Sequence, residues 1–127
     1  MKTREDIESY LLKLGTAHED LGHDIWRIRD NGFENLFVSL AGPVAVFRIK
    51  VMDLPAAKRE ALFETLLRLN ATEMVHGAFG IEGEAVVITD SLPLEDLDFS
   101  EFQAVVEDIG LAITRHYAAL SKYRAAA

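Results

Sequence analysis

The sequence contains no cysteine. That excludes disulfides, thiolate zinc sites and cysteine nucleophiles, and it suits a reducing cytoplasm. Long apolar runs are missing too. The longest, LFVSLAGPVAVF at 36–47, falls short of the ~20 residues needed to cross a bilayer, and Gly42-Pro43 interrupts it. The opening MKTREDIESY lacks the apolar core of a secretory signal. The expectation is a soluble cytoplasmic protein with no membrane partner.

Positive charge is scarce. Thirteen Lys and Arg face 21 Asp and Glu, a net charge of −8. Such a surface repels nucleic acid unless its cations cluster, and no RNA-recognition signature such as GFGFV is present. Nucleic acid is therefore not the expected partner. What is present is apolar: 50% of the 127 residues are hydrophobic, enough for one domain over 1–124 with a short tail at 125–127.

The pattern of elements is legible. Residues 3–14 read as a helix, capped by Thr3 and Asp6, with Ile7, Tyr10, Leu11 and Leu14 on one face and Gly15 as its stop. TAHEDLGH at 16–23 reads as a polar connection. Three strands follow, DIWRIR, NLFVSLA and VAVFRIKVM, separated by Asn31-Gly32 and Gly42-Pro43 turns. In the third, Ala45, Phe47, Ile49 and Val51 alternate with Arg48 and Lys50, as in a sheet covered on one side.

Asp53-Leu54-Pro55 is expected to open a second helix, with the proline near its first position. Leu62, Leu66 and Leu69 form one apolar seam of that helix, and Phe63 and Leu67 form another. One seam can face the sheet while Phe63 and Leu67 serve a dimer interface. MVHGAFGI and EAVVITD then read as two strands, with Val75, Phe79 and Ile81 sharing a face of the first. A last helix begins at the Asp98–Glu101 capping pair and runs with apolar residues at three- and four-residue steps. The expected fold is α+β, in the order α-β-β-β-α-β-β-α, with an antiparallel five-stranded sheet and helices packed on one face.

Catalytic signals are weak. Gly77, Gly80 and Gly83 resemble a phosphate loop in spacing, but they lead into a strand and no lysine follows, so a hairpin explains them better. His18 and His23 stand five apart among acidic residues, without the four-residue spacing of helical ligands, and no metal site is expected. Ser39 and Ser91 lack a GxSxG elbow. The acidic run Glu95, Asp96, Asp98 lacks the pattern of a calcium loop. No cofactor and no enzymatic activity are expected. The alternative is a small-molecule-binding domain or small enzyme, with His76 and His116 in a pocket between helices and sheet.

One feature is not accounted for by the core. The outward sheet face should carry Ile25, Arg27, Arg29, Phe37, Val44, Val46, Arg48 and Lys50. Four cations interleaved with apolar groups on an acidic protein suit either a solvated face or a surface for a protein partner.

LLRLN at 66–70, the glycine hairpin HGAFGIEGEAVVITDSLPLEDLD and the long last helix resemble the type III secretion chaperone-like superfamily. Within it the chain is similar to the Tir-chaperone group and the YbjN-domain proteins, on Leu66, Leu67, Leu69, Asn70, Gly80, Leu92, Pro93 and Leu97. The resemblance implies a homodimeric α+β domain without a catalytic centre. Chaperones of this kind hold a segment of a secreted effector through apolar patches and strand edges, whereas YbjN-type domains are linked to regulation or stress responses. The resulting expectation is a non-enzymatic protein-binding module, chaperone-like or a regulatory adaptor, with an effector-like or regulatory protein as its partner.

Overall fold

The computed structural model describes residues 1–30 and 32–124. A helix, α1 (Arg4–Leu14), is followed by four strands: β1 (Ala17–Gly22), β2 (Ile25–Asp30), β3 (Phe33–Ala41) and β4 (Val44–Asp53). Then come α2 (Arg59–Thr72), β5 (Ala78–Glu82), β6 (Ala85–Pro93) and α3 (Phe99–Arg124). All strand pairs are antiparallel, and the sheet order is β1-β2-β3-β4-β6-β5.

The sheet thus has six strands rather than five. The extra one is β1, in the segment whose composition suggests a polar connection. Every residue of β1 is exposed, so it carries no apolar alternation. Main-chain pairing to β2 makes it a strand. Arg4 also fastens it: its guanidinium pairs with Asp20 and, at 2.9 Å, with Asp24, and lies 4.8 Å over the Trp26 ring. The hydrogen bond that Arg4 donates to Asp24, together with the neighbouring carboxylates, holds the Arg4 pKa above its ordinary value, against a smaller opposing effect of burial. Asp20 and Asp24, placed beside His18 and His23, serve this clamp.

Other local expectations are also revised. Leu54 to Lys58 forms a bend, and α2 starts four residues after Pro55, whose carbonyl accepts a 2.6 Å bond from Arg59 Nε. The helix could not begin earlier because Lys58 adopts a left-handed conformation, φ 62°. A bulge between Lys50 and Met52 turns Met52 inward and leaves Val51 half-buried. Val75 lies ahead of β5 and is 83% exposed. Of the two hairpin residues at 31–32, Asn31 lies outside the described residues, and Gly32 has the positive φ, 96°, that the turn needs.

Capping is as the sequence indicates. The Thr3 N–H donates to Asp6 Oδ2 at 2.8 Å, and this bond, with that of the Thr3 hydroxyl, holds the Asp6 carboxyl below its usual pKa. The Glu101 N–H donates to Asp98 Oδ1 at 2.8 Å.

The core lies on one side of the sheet and joins residues of all three helices to Trp26, Ile28, Leu36, Val38, Phe47 and Ile88. Along α3, Phe102, Val105, Val106, Ile109, Ala112, His116, Leu120 and Tyr123 are buried, so His116 rather than Tyr117 occupies the apolar stripe. Gly77 permits the entry to β5. Its φ is 81°, and an added Cβ would meet Ile88 Cγ2 at 3.0 Å.

Asn70, on the last turn of α2, treats β5 as a neighbouring strand would. Its Oδ1 accepts from the Phe79 N–H at 2.7 Å, and its Nδ2 donates to the Phe79 carbonyl at 3.0 Å. Asn70→Leu leaves both groups unpaired at a part-buried edge and is expected to cost about 1–3 kcal/mol. Urea denaturation should show the loss, and hydrogen exchange at the Phe79 amide should quicken in the same variant.

Candidate functional site

Opposite the core, the outer sheet face is ordered in rows set by strand register. One row runs Glu19, Arg27, Phe37, Arg48, Thr89, Ala78. Phe37 therefore stands between two arginines. The next row holds Ile25, Ser39, Val46 and Ser91. Beyond it, Val44 pairs with Ala41 and Pro93. Towards the opposite end lie Lys50 and Arg29.

These rows shape a concavity of about 310 Å³, lined by Leu21, Ile25, Phe37, Ser39, Val46 and Arg48. Four of the eight outward residues singled out in the sequence meet there: Ile25, Phe37, Val46 and Arg48. Arg27 adjoins them through Phe37, while Arg29, Val44 and Lys50 lie outside the concavity. Leu21 is the lining residue that sequence reasoning missed. Its one signal was to be the only leucine in an otherwise polar segment, and it comes here as part of β1, at the irregularity between Asp20 and Gly22.

Most of the cations have internal partners. Arg27 Nη2 lies 2.5 Å from Glu19, Lys50 Nζ 2.6 Å from Asp53, and Arg48 Nη2 3.4 Å from Glu82. Arg29 makes no ion pair among the described residues. Exposed pairs of this kind contribute about 0–1 kcal/mol each, so a partner's carboxylates can replace the internal ones at little cost.

A second apolar groove, about 300 Å³, runs between α2 and β5 and is lined by Phe63, Leu66, Leu67, Asn70, Phe79, Gly80 and Ile81. The two seams of α2 separate as their spacing indicates. Leu62 and Leu66 are buried, Phe63 is half-buried, and Leu67 is 68% exposed.

His76 and His116 do come together, in a recess of only about 110 Å³. Small-molecule sites generally offer about 300–1,000 Å³. The His76 ring nitrogens stand 3.9 Å from Asp90 and 3.7 Å from Asp108, too far for hydrogen bonds. His116 packs against the Phe79 ring, 6.2 Å between centroids. Among the described residues no group of three or more His, Cys, Asp or Glu is arranged to hold a metal, and no helix is long and apolar enough to cross a membrane.

Solved structures share this architecture. YbjN from E. coli superposes with a TM-score of 0.68 at 16% identity, over 93% of each chain. A chain of the ExoU–SpcU heterodimer from the type III secretion system of Pseudomonas aeruginosa gives 0.71 at 12% identity, over 86% of this chain and 93% of that one. A chain of the HopA1–SchA chaperone–effector complex gives 0.65 at 10% identity, over 87% and 89%. At these identities the likeness is one of fold. No curated protein matches the sequence. The profile of the CesT_Tir_1 family matches residues 1–126, nearly the whole chain, and the protein belongs to that family.

Proposed function

We propose that the protein is a non-enzymatic protein-binding module, chaperone-like or a regulatory adaptor, which holds a segment of a protein partner on the outer face of its sheet. The observation that carries this reading is the concavity around Phe37, an apolar floor with arginines on one of the two rows that cross it. Apolar ground bordered by charge is the composition of a protein interface. Membership of the CesT_Tir_1 family and the fold shared with a chaperone–effector complex support the same reading. The exposed seam of Phe63 and Leu67 and the groove beside it support a homodimer.

The test is an affinity capture of the tagged protein from its native lysate, read by mass spectrometry beside Arg27→Glu with Arg48→Glu. Both positions are on the outer face, so the fold should persist and the far-ultraviolet spectrum should be unchanged. One specific protein retained by the wild type and depleted at least about tenfold by the variant is expected, as for loss of a central charged contact. Equal retention by both would remove the site from this face.

A further inference from the structure

We infer that the cleft between the end of α1, the β2–β3 hairpin and α3 is a binding site for a small organic cation with an apolar ring, of the arylalkylamine class. The cleft lies on the helical side of the sheet, away from the outer face, and the inference is independent of the adaptor reading above. It offers about 390 Å³, within the roughly 300–1,000 Å³ of small-molecule sites. The recess that holds His76 and His116 has only about 110 Å³.

One glycine shapes the cleft. Gly110 stands inside α3, where glycine lowers helix stability relative to alanine. An added Cβ there would meet Phe33 Cε1 at 3.0 Å and Cδ1 at 3.3 Å. The missing side chain lets the Phe33 ring lie against the α3 backbone. Phe33 and Val106, 7% and 2% exposed, form an apolar floor, and Leu14 and Leu111 are its apolar walls. Leu111 is 56% exposed, so the cleft opens to water on that side.

The charged lining is of one sign. Asp30 and Glu107, both exposed, mark the rim, and no lysine, arginine or histidine lines the cleft. Glu107 makes no ion pair among the described residues. Thr16 lines the cleft as well, and its Oγ1 is closed off from water without a hydrogen-bond partner among the described residues. A buried hydroxyl left unpaired is a cost in the free protein, and its oxygen can accept from a ligand N–H. An apolar floor, an unpaired hydroxyl and a carboxylate rim together match a flat ring that carries an N–H and ends in an ammonium. A ligand ending in a carboxylate would meet like charge at the rim.

The probes are tryptamine, indole-3-propionate and tryptophol, which share the indole ring and its chain and end in a positive, a negative and an uncharged group. Titrations at low salt, followed through the backbone amides by NMR, are expected to show saturable shifts at Phe33, Gly110, Leu111 and Thr114. Tryptamine should bind about tenfold more tightly than indole-3-propionate, with tryptophol between them. High salt should narrow the difference, because charges at the rim are screened. Glu107→Gln, at an exposed position of α3, should keep the fold and cut the ratio to about threefold or less. Thr16→Val should weaken tryptamine about fivefold, as for one lost hydrogen bond, and leave 1-methyltryptamine, which has no ring N–H, unaffected.

Equal affinity for tryptamine and indole-3-propionate, or a preference that Glu107→Gln leaves intact, would overturn the inference. Shifts confined to Ile25, Phe37 and Val46 would move the ligand to the outer face and overturn the site. No saturable shift with any of the three indoles, in a protein whose spectrum is that of a folded chain, would also overturn it. Equal losses of tryptamine and 1-methyltryptamine with Thr16→Val would remove the hydroxyl from the site.

Discussion

Phe102→Ala is expected to lower the unfolding free energy by about 3–5 kcal/mol, in the range of large aromatic deletions from a core. Phe102 is fully buried at the point where α1, α3 and the sheet meet. Its ring lies 5.6 Å from that of Tyr10 and 5.5 Å from that of Phe47, both tilted. Such pairs add about 0.5–1.5 kcal/mol each to the burial of area. The Tyr10 hydroxyl donates to the Leu97 carbonyl at 2.6 Å, which fixes the ring that Phe102 packs on and limits how far the cavity can close. The melting temperature should fall by about 12–20 °C. Urea denaturation at fixed protein concentration measures the loss. Leu111→Ala, on the exposed side of α3, is the control and should change stability by less than about 0.5 kcal/mol. A loss near that of the control for Phe102→Ala would mean that α1 does not depend on this contact.

Leu67→Glu combined with Phe63→Glu is expected to convert the proposed homodimer into monomers, raising the dissociation constant at least about a hundredfold. The two positions are one helical turn apart on the exposed seam of α2, beside the groove that reaches Ile81. In a twofold interface each substitution appears twice, so four carboxylates would be forced together in an apolar site. The β5 edge is an unsuitable place for a continuous two-molecule sheet, because Asn70 already occupies the Phe79 N–H and C=O. Side-chain packing of the α2 seam is therefore the expected mode. Sedimentation equilibrium decides the matter, with Leu12→Glu, exposed on α1, as the control. A wild-type monomer, or a variant that stays dimeric, would remove the interface from α2.

Much of this protein is determined by its sequence alone. Helix periodicity, the caps at Thr3 and Asp98, the alternation through Phe37 and Phe47 and the separation of the two α2 seams are local signals. Each residue's neighbours within a few positions decide them, so they are readable without a fold. The outer face follows from the same alternation, and with it Ile25, Phe37, Val46 and Arg48.

The rest was decided by contacts distant in sequence. β1 has no buried residue to mark it, and it exists because β2 offers a main-chain edge and Arg4 holds Asp20 and Asp24 across sixteen to twenty positions. The bulge at Val51 reverses a face whose alternation alone would not break. Pro55 falls in a bend because the chain must turn away from β4 before α2 can begin. Leu21 joins the floor of the concavity only because it lies in β1, at the irregularity between the paired residues Asp20 and Gly22, in a strand its own residues do not announce. Patterns of polarity record which side chains leave water; they carry no record of main-chain pairing, and it is pairing that set the sixth strand and the extent of the candidate site.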